Sequence, residues 1–307
     1  MRYEISRDFK YIRLMTFPIV KPLAHIAEYI LGALLKINHS DDNVNVTRHT
    51  IDVENGSIKA LFYEPKKCGN TSPAVIYYHG GGFVYKAAPY HYKLVKEYCV
   101  KTPCKVLMVD YRLTTKNSFP VPVNDCCSAL KWLVKNAEGL GIDKSKIVIA
   151  GDSAGGNLAA AVTLTARDNK LIVPCGQMLI YPVIDRRMKT QSMNKYTDTP
   201  IWNSRLSKKM WELYLPDSNV ENIEYASPIE APDLSGLPNT YIETAEFDCL
   251  HDEGMEYAKA LKAAGNTVFL NETKNTIHGF DMASKSKIVI DSIEKRIKFL
   301  QSSFCNY

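Results

Sequence analysis

Strand-forming runs recur at residues 45–53, 58–63, 74–79, 104–110, 146–150, 177–181, 240–245 and 267–271. After the first few they alternate with stretches whose apolar residues return at helical spacing. Such alternation predicts an α/β fold, a mostly parallel central sheet with helices on both faces, because parallel neighbours need a crossover that packs back onto the sheet. The first two runs straddle Glu54-Asn55-Gly56-Ser57, and Asn-Gly between strands is a hairpin signal. The sheet is therefore expected to begin with antiparallel strands. Residues 284–304 place Ile288, Ile290, Ile293, Ile297 and Leu300 as a closing amphipathic helix. With no repeat, low-complexity tract or interdomain linker, residues 1–307 are expected to form a single domain. Two segments, about 1–40 and 186–218, have no obvious place in its layers.

The chemistry is concentrated where strands end. Between the β-branched run Lys146–Ile149 and the helical run Leu158–Arg167 stands Gly151-Asp152-Ser153-Ala154-Gly155-Gly156. Gly-x-Ser-x-Gly between a strand and a helix is a nucleophile elbow, a tight turn that holds the serine hydroxyl proud of the sheet. A glycine-rich turn that merely packs, or one that cradles a phosphate, is the competing account of that pentapeptide alone. Upstream, Ala74–Tyr78 runs into His79-Gly80-Gly81-Gly82-Phe83. Acyl transfer builds charge on a carbonyl oxygen, and the amides of Gly81, Gly82 and Ala154 are expected to receive it. His79 is expected to brace this loop rather than to act as a base.

The other partners should follow in the order serine, acid, histidine. Asp248 ends the strand run Asn239–Ala245 and its short extension, and His278 lies in the loop Thr276–Phe280 after another strand. His278 would take the proton of Ser153, and Asp248 would hold the imidazole in the right tautomer. Asp252 lies one helical turn beyond Asp248 and suits a helix N-terminus, while Asp110 precedes the serine and breaks the order. His49, His91 and His251 read as surface or packing residues, and the side chain of Asp152 should point away from the hydroxyl. No His/Cys/Asp set has metal-ligand spacing, so neither a metal nor another cofactor is expected.

Together, His79–Gly82, Gly151–Gly156, Glu246–Glu253 and His278-Gly279-Phe280 resemble the hormone-sensitive lipase family, α/β-hydrolases that include the bacterial family IV esterases. The resemblance covers roughly residues 40–300 in the right order. It implies a serine carboxylesterase, often selective for short acyl chains, with Ser153, Asp248 and His278 as triad and Gly81, Gly82 and Ala154 as oxyanion hole. It also implies that the two unplaced segments form a helical cap. There Trp202, Trp211 and Tyr214 would join Phe83, Tyr85 and Phe280 around an apolar pocket, although aromatic residues at such spacing also serve simple packing. An edge-strand or cap-mediated homodimer is a further implication. The chain departs from the family after Asp110-Tyr111-Arg112-Leu113, where Thr114–Asn117 replaces the usual Ala-Pro-Glu; Arg112 is expected in an internal ion pair. Cys249 stands where a proline usually follows the acid.

Composition limits the alternatives. The net charge of +5 is spread along the chain without a concentrated basic face, so no nucleic-acid partner is expected. In the N-terminal segment Lys21, His25 and Glu28 interrupt the apolar run and Pro18 and Pro22 break it, leaving no stretch of about 20 residues to span a bilayer. Glu4 and Asp8 and the lack of a small-residue cleavage site argue against a secretory signal. An amphipathic cap helix is the better account, with peripheral membrane contact as its alternative. Eight dispersed cysteines, Cys126 and Cys127 adjacent among them, suggest free thiols and a cytoplasmic protein. The expected partner is a small ester. Lactone, carbamate or amide hydrolysis on the same triad stays open, as does a ligand-binding role on the same scaffold. A short charged cap argues against an interfacial lipase.

Overall fold

The structure is a computed structural model that describes residues 3–305 except 18, 20, 35, 38, 218 and 219. Pro18, Val20, Leu35 and Ser218 of the two expected cap segments thus lie outside the described residues. Eight strands form one sheet: β1 (Val44–Val53), β2 (Gly56–Pro65), β3 (Ser72–Tyr78), β4 (Lys105–Asp110), β5 (Ile142–Asp152), β6 (Gly176–Ile180), β7 (Thr240–Phe247) and β8 (Val268–Ile277). Their spatial order is β1-β2-β4-β3-β5-β6-β7-β8. Strands β3 to β8 run parallel, whereas β2 is antiparallel to both β1 and β4. The Asn55-Gly56 turn closes the first hairpin as expected and sets Val53 opposite Gly56, with Asn55 at φ 57°.

The burial of each strand follows its place. Central β3, β4 and β6 are apolar almost throughout and buried on both faces, whereas β1 and β8 alternate buried with exposed positions. Two strands are longer than their apolar runs suggest. β5 begins at Ile142 through polar Lys144–Lys146, and β8 continues through Asn271–Asn275 as far as Ile277. Polar residues suit those stretches because one side of the strand faces water there.

Four helices sheathe the sheet: α2 (Pro89–Lys101), α3 (Val121–Lys135), α4 (Ala154–Asp168) and α7 (His251–Ala263), with α8 (Lys287–Cys305) closing the chain. Helix α4 is buried over most of its length, and its run of alanines lets it lie close to β5 and β6. Each Ile or Leu fully buried in such a core contributes about 1.5–3 kcal/mol. Arg112 makes the expected internal pair, its guanidinium 2.6 Å from the buried Asp125 carboxylate.

The two segments outside the sheet meet each other. The first contains α1 (Lys21–Leu34), and the second contains α5 (Gln191–Lys195) and α6 (Ser204–Tyr214). Thr16 pairs with Ile201 in a parallel bridge, where the Ile201 amide donates to the Met15 carbonyl at 2.8 Å. The Tyr3 hydroxyl donates to Asp198 at 2.6 Å. Among the described residues no helix is long and apolar enough to cross a membrane.

Candidate active site

Ser153 sits between the last residue of β5 and the first of α4, at φ 55° and ψ −119°. That conformation is costly for a residue with a side chain and persists only where the surroundings enforce it. Here they do. The Ser153 amide donates to Ile180 O at 2.8 Å and its carbonyl accepts from Val183 N at 3.1 Å. The flanking glycines are required by contact: a Cβ on Gly151 would lie 2.2 Å from Gly155 O, and one on Gly155 would lie 2.0 Å from Tyr78 O. Gly155→Ala is accordingly expected to cost more than about 3 kcal/mol, readable as a lowered melting temperature.

The remaining polar groups arrive from the ends of β7 and β8. His278 follows β8 directly, and Gly279 at φ 67° turns the chain away behind it. His278 Nε2 lies 2.8 Å from Ser153 Oγ, and His278 Nδ1 lies 2.7 Å from Asp248 Oδ2. Asp248 is fully buried, and its other oxygen accepts the Leu250 amide at 3.0 Å. The carboxylate can accept only, so Nδ1 carries a proton towards it and Nε2 is left to accept from the serine hydroxyl. Gly81 and Gly82 lie across from this serine at φ 125° and 60°, and Ala154 opens helix α4. Among the described residues no hydrogen bond uses the amides of Gly81, Gly82 or Ala154.

A cavity of about 310 Å³ opens onto Ser153 and His278. Phe17, Ile30 and Leu31 from the first segment and Ile201 and Trp202 from the second wall it, together with Tyr85 and Met282. It is apolar, with polar groups gathered around the serine, as ligand pockets generally are.

Residues 75–282 match the family described as the alpha/beta hydrolase fold. Carboxylesterase NlhH of Mycobacterium tuberculosis is 32% identical over 272 residues, 86% of this chain and 85% of its own. An arylesterase of Saccharolobus solfataricus is 34% identical over 241 residues, 78% of each chain. The solved structure of a bacterial heroin esterase superposes with a TM-score of 0.88 at 30% identity, covering 98% of both chains. The chain belongs to the hormone-sensitive lipase family of α/β-hydrolases. It is a hydrolase.

Of the aromatic residues expected to line this hydrolase's pocket, Tyr85 and Trp202 do. Phe83, Trp211, Tyr214 and Phe280 do not. Phe83, at φ 57°, turns away and stacks on Tyr214 with ring centroids 3.8 Å apart. Trp211 packs against Tyr214, and Phe280 lies between Phe9 and Tyr181 under the Arg296 guanidinium. All four rings are buried behind the site. The wall instead uses aliphatic residues and Phe17, which nothing in their local spacing marks.

A second polar cluster has no signature in the sequence. Asp152 does point away from the serine, but into a set of four donors: Tyr77 OH at 2.7 Å, Gly80 N at 2.9 Å, His91 Nε2 at 3.1 Å and Tyr90 OH at 3.2 Å. His91, expected at the surface or in simple packing, is buried, and its Nδ1 accepts the Ala88 amide at 2.9 Å, which leaves the proton on Nε2. Burial opposes charge on Asp152. The field and hydrogen bond of His91, with the bonds from Tyr77 and Gly80, outweigh it and hold the carboxyl below the usual carboxylate range. Through the Gly80 amide, Asp152 ties the glycine loop to the elbow. Asp152→Asn should therefore lower kcat by about tenfold or more with little change in KM, because one charge-assisted bond is lost and the loop loosens. Unchanged kcat would show that the tie is dispensable.

The loop is braced as expected by His79, whose Nδ1 donates to Gly80 O at 2.8 Å while its ring stacks on Tyr111. Burial, aided by the neighbouring His91, pushes its pKa down to about 3 from 6.5. The unfolded chain therefore takes up this proton at a higher pH than the folded one. Stability from neutral His79 is complete above about pH 6.5 and falls as pH drops from there towards 3, by at most about 1.4 kcal/mol per pH unit. Urea midpoints for His79→Asn should show a shallower acid slope than the parent; parallel slopes would refute the assignment.

The competing acids have other work. Asp110 pairs with Lys86 at 2.7 Å, and Asp252 accepts the Ser192 amide at 2.7 Å. His49 packs edge-on against Phe62, and His251 lies between Asp252 and Glu272. Among the described residues no group of three or more His, Cys, Asp or Glu side chains could hold a metal ion. All eight cysteines are free thiols.

Proposed function

We propose that this hydrolase is a serine carboxylesterase acting on small, short-acyl esters through an acyl-enzyme. The observation that carries the reading is the unbroken line Ser153 Oγ, His278 Nε2, His278 Nδ1, Asp248 Oδ2 at the floor of an apolar cavity. The esterase names of its relatives point the same way. Ser153 Oγ attacks the ester carbonyl while His278 Nε2 takes its proton, and the oxyanion forms against the amides of Gly81, Gly82 and Ala154. The C–O bond to the alcohol then breaks as Nε2 returns the proton to the leaving oxygen. Water, deprotonated by the same nitrogen, attacks the acyl-serine, releases the acid and restores the hydroxyl. Asp248 stabilises the imidazolium in both halves.

Cavity size supports the short acyl group, since about 310 Å³ stands at the lower end of ligand pockets, roughly 300–1,000 Å³. The free thiols fit a reducing cytoplasm. A homodimer contact is best placed on the edge strand β8, where Phe269 and Leu270 are exposed. Hydrolysis of p-nitrophenyl esters from acetate to palmitate tests the function. Fast turnover of the short esters with a steep decline along the series is expected. Well-folded protein without turnover of any member, or with palmitate as its best substrate, would overturn the reading.

A further inference from the structure

We propose that the exposed face of α1 docks on an anionic lipid surface. Ile26, Tyr29, Ile30 and Ala33 stand at i, i+3, i+4 and i+7, a single stripe along the helix, and all four face solvent. Ile26 is 57% and Tyr29 85% exposed, and Ile37 continues the row beyond the helix end. An adjoining face of the helix, Ala27, Leu31 and Leu34, already packs on the core, so the stripe is not the face that folding buries. An amphipathic soluble helix would carry polar residues there.

Charge selects the occupant. Tyr29 and Ala33 border a surface hollow shared with Lys36, Lys86 and Lys116, opposed within it by Glu28. Lys86 is paired with Asp110, whereas Lys36 and Lys116 join no ion pair among the described residues. An apolar row beside cations is the pattern of a helix that lies in the plane of an anionic bilayer, its rings and aliphatic groups among the acyl chains. A second copy related by two-fold symmetry would set these same lysines against each other.

Position gives the docking a use. Ile30 belongs both to the stripe and to the wall of the catalytic cavity, and Lys86 both to the hollow and to that cavity. A bilayer under α1 would thus adjoin the mouth through which apolar esters, which partition into lipid, reach Ser153. This delivery rests on the esterase reading; the docking surface does not.

Co-sedimentation with phosphatidylcholine vesicles, with and without about 30% phosphatidylglycerol, tests the surface. The protein should pellet with the anionic vesicles, hardly with the neutral ones, and be released by about 0.5 M NaCl. Ile26→Glu/Tyr29→Glu and, separately, Lys36→Glu/Lys116→Glu should each weaken vesicle affinity about tenfold or more. Both variants should hydrolyse p-nitrophenyl acetate in solution like the parent, which shows that they fold. Three outcomes overturn the proposal: parent protein that stays in the supernatant, variants that pellet as well as the parent, or light scattering in which the stripe variant alone turns a dimer into a monomer. Vesicle binding without acetate hydrolysis would count against the esterase reading and uphold the surface.

Discussion

Ser153→Ala is expected to lower kcat for p-nitrophenyl acetate by roughly 10⁶-fold while the melting temperature barely moves. The hydroxyl contributes one hydrogen bond, to His278, and little packing, so its loss removes the nucleophile and leaves the elbow standing. His278→Ala should cost about as much, and the double variant no more than either single one, because the groups act as a unit. Asp248→Asn is a gentler probe: it keeps the shape but reverses the tautomer preference of the ring, and about 10⁴-fold is expected. Additive losses, or a folded Ser153→Ala protein with parental turnover, would sink the triad.

Arg296→Leu is expected to leave the active site in place but to weaken the fold severely. The fully buried guanidinium of α8 contacts Glu243 on β7 and both oxygens of Asp281, with Asp281 Oδ1 at 3.0 Å. Tyr241 and Asn271 complete the shell of Glu243, and Tyr181 that of Asp281. Burial drives the Asp281 pKa up, and Arg296 is the cation that opposes this. Removing one partner strands two carboxylates in the interior, at a cost of about 3–5 kcal/mol. With an unfolding entropy of about 2.1 cal/mol/K per residue, that is a fall in melting temperature of roughly 5–8 °C. Adding Glu243→Gln and Asp281→Asn should recover part of it. A melting temperature within about 1 °C of the parent would show that the cluster relaxes or admits water.

The line Ser153–His278–Asp248 is legible in the sequence because each member sits at a strand end, where pattern and chain order both constrain it. Ser153 is announced by its glycines, and Asp248 and His278 by the strands they follow. Strand length is less legible: the strand-forming run ends at residue 271 in sequence, yet β8 continues through polar residues, and Glu272 and Thr273 pair beside β7. Orientation is least legible. Phe83 and Tyr85 are two apart in the same loop, and only the positive φ of Phe83 sends one ring to the core and leaves the other on the cavity. The Asp152 cluster gathers residues from β3, the glycine loop and α2, and a contact between Asp152 and His91, sixty-one positions apart, leaves no local trace.

The bridge between Thr16 and Ile201 also sets an order of events during synthesis. At about 5–20 residues per second, roughly ten to forty seconds separate the emergence of its two halves. Throughout that interval the chain carries an apolar helix without the segment that bears Ile201, although β1 to β6 emerge within it. The segment that carries Thr16 and α1 therefore waits for its partner, its apolar residues open meanwhile to chaperones that hold emerging apolar segments. Slowing translation should lengthen its exposure without touching Ser153, Asp248 or His278.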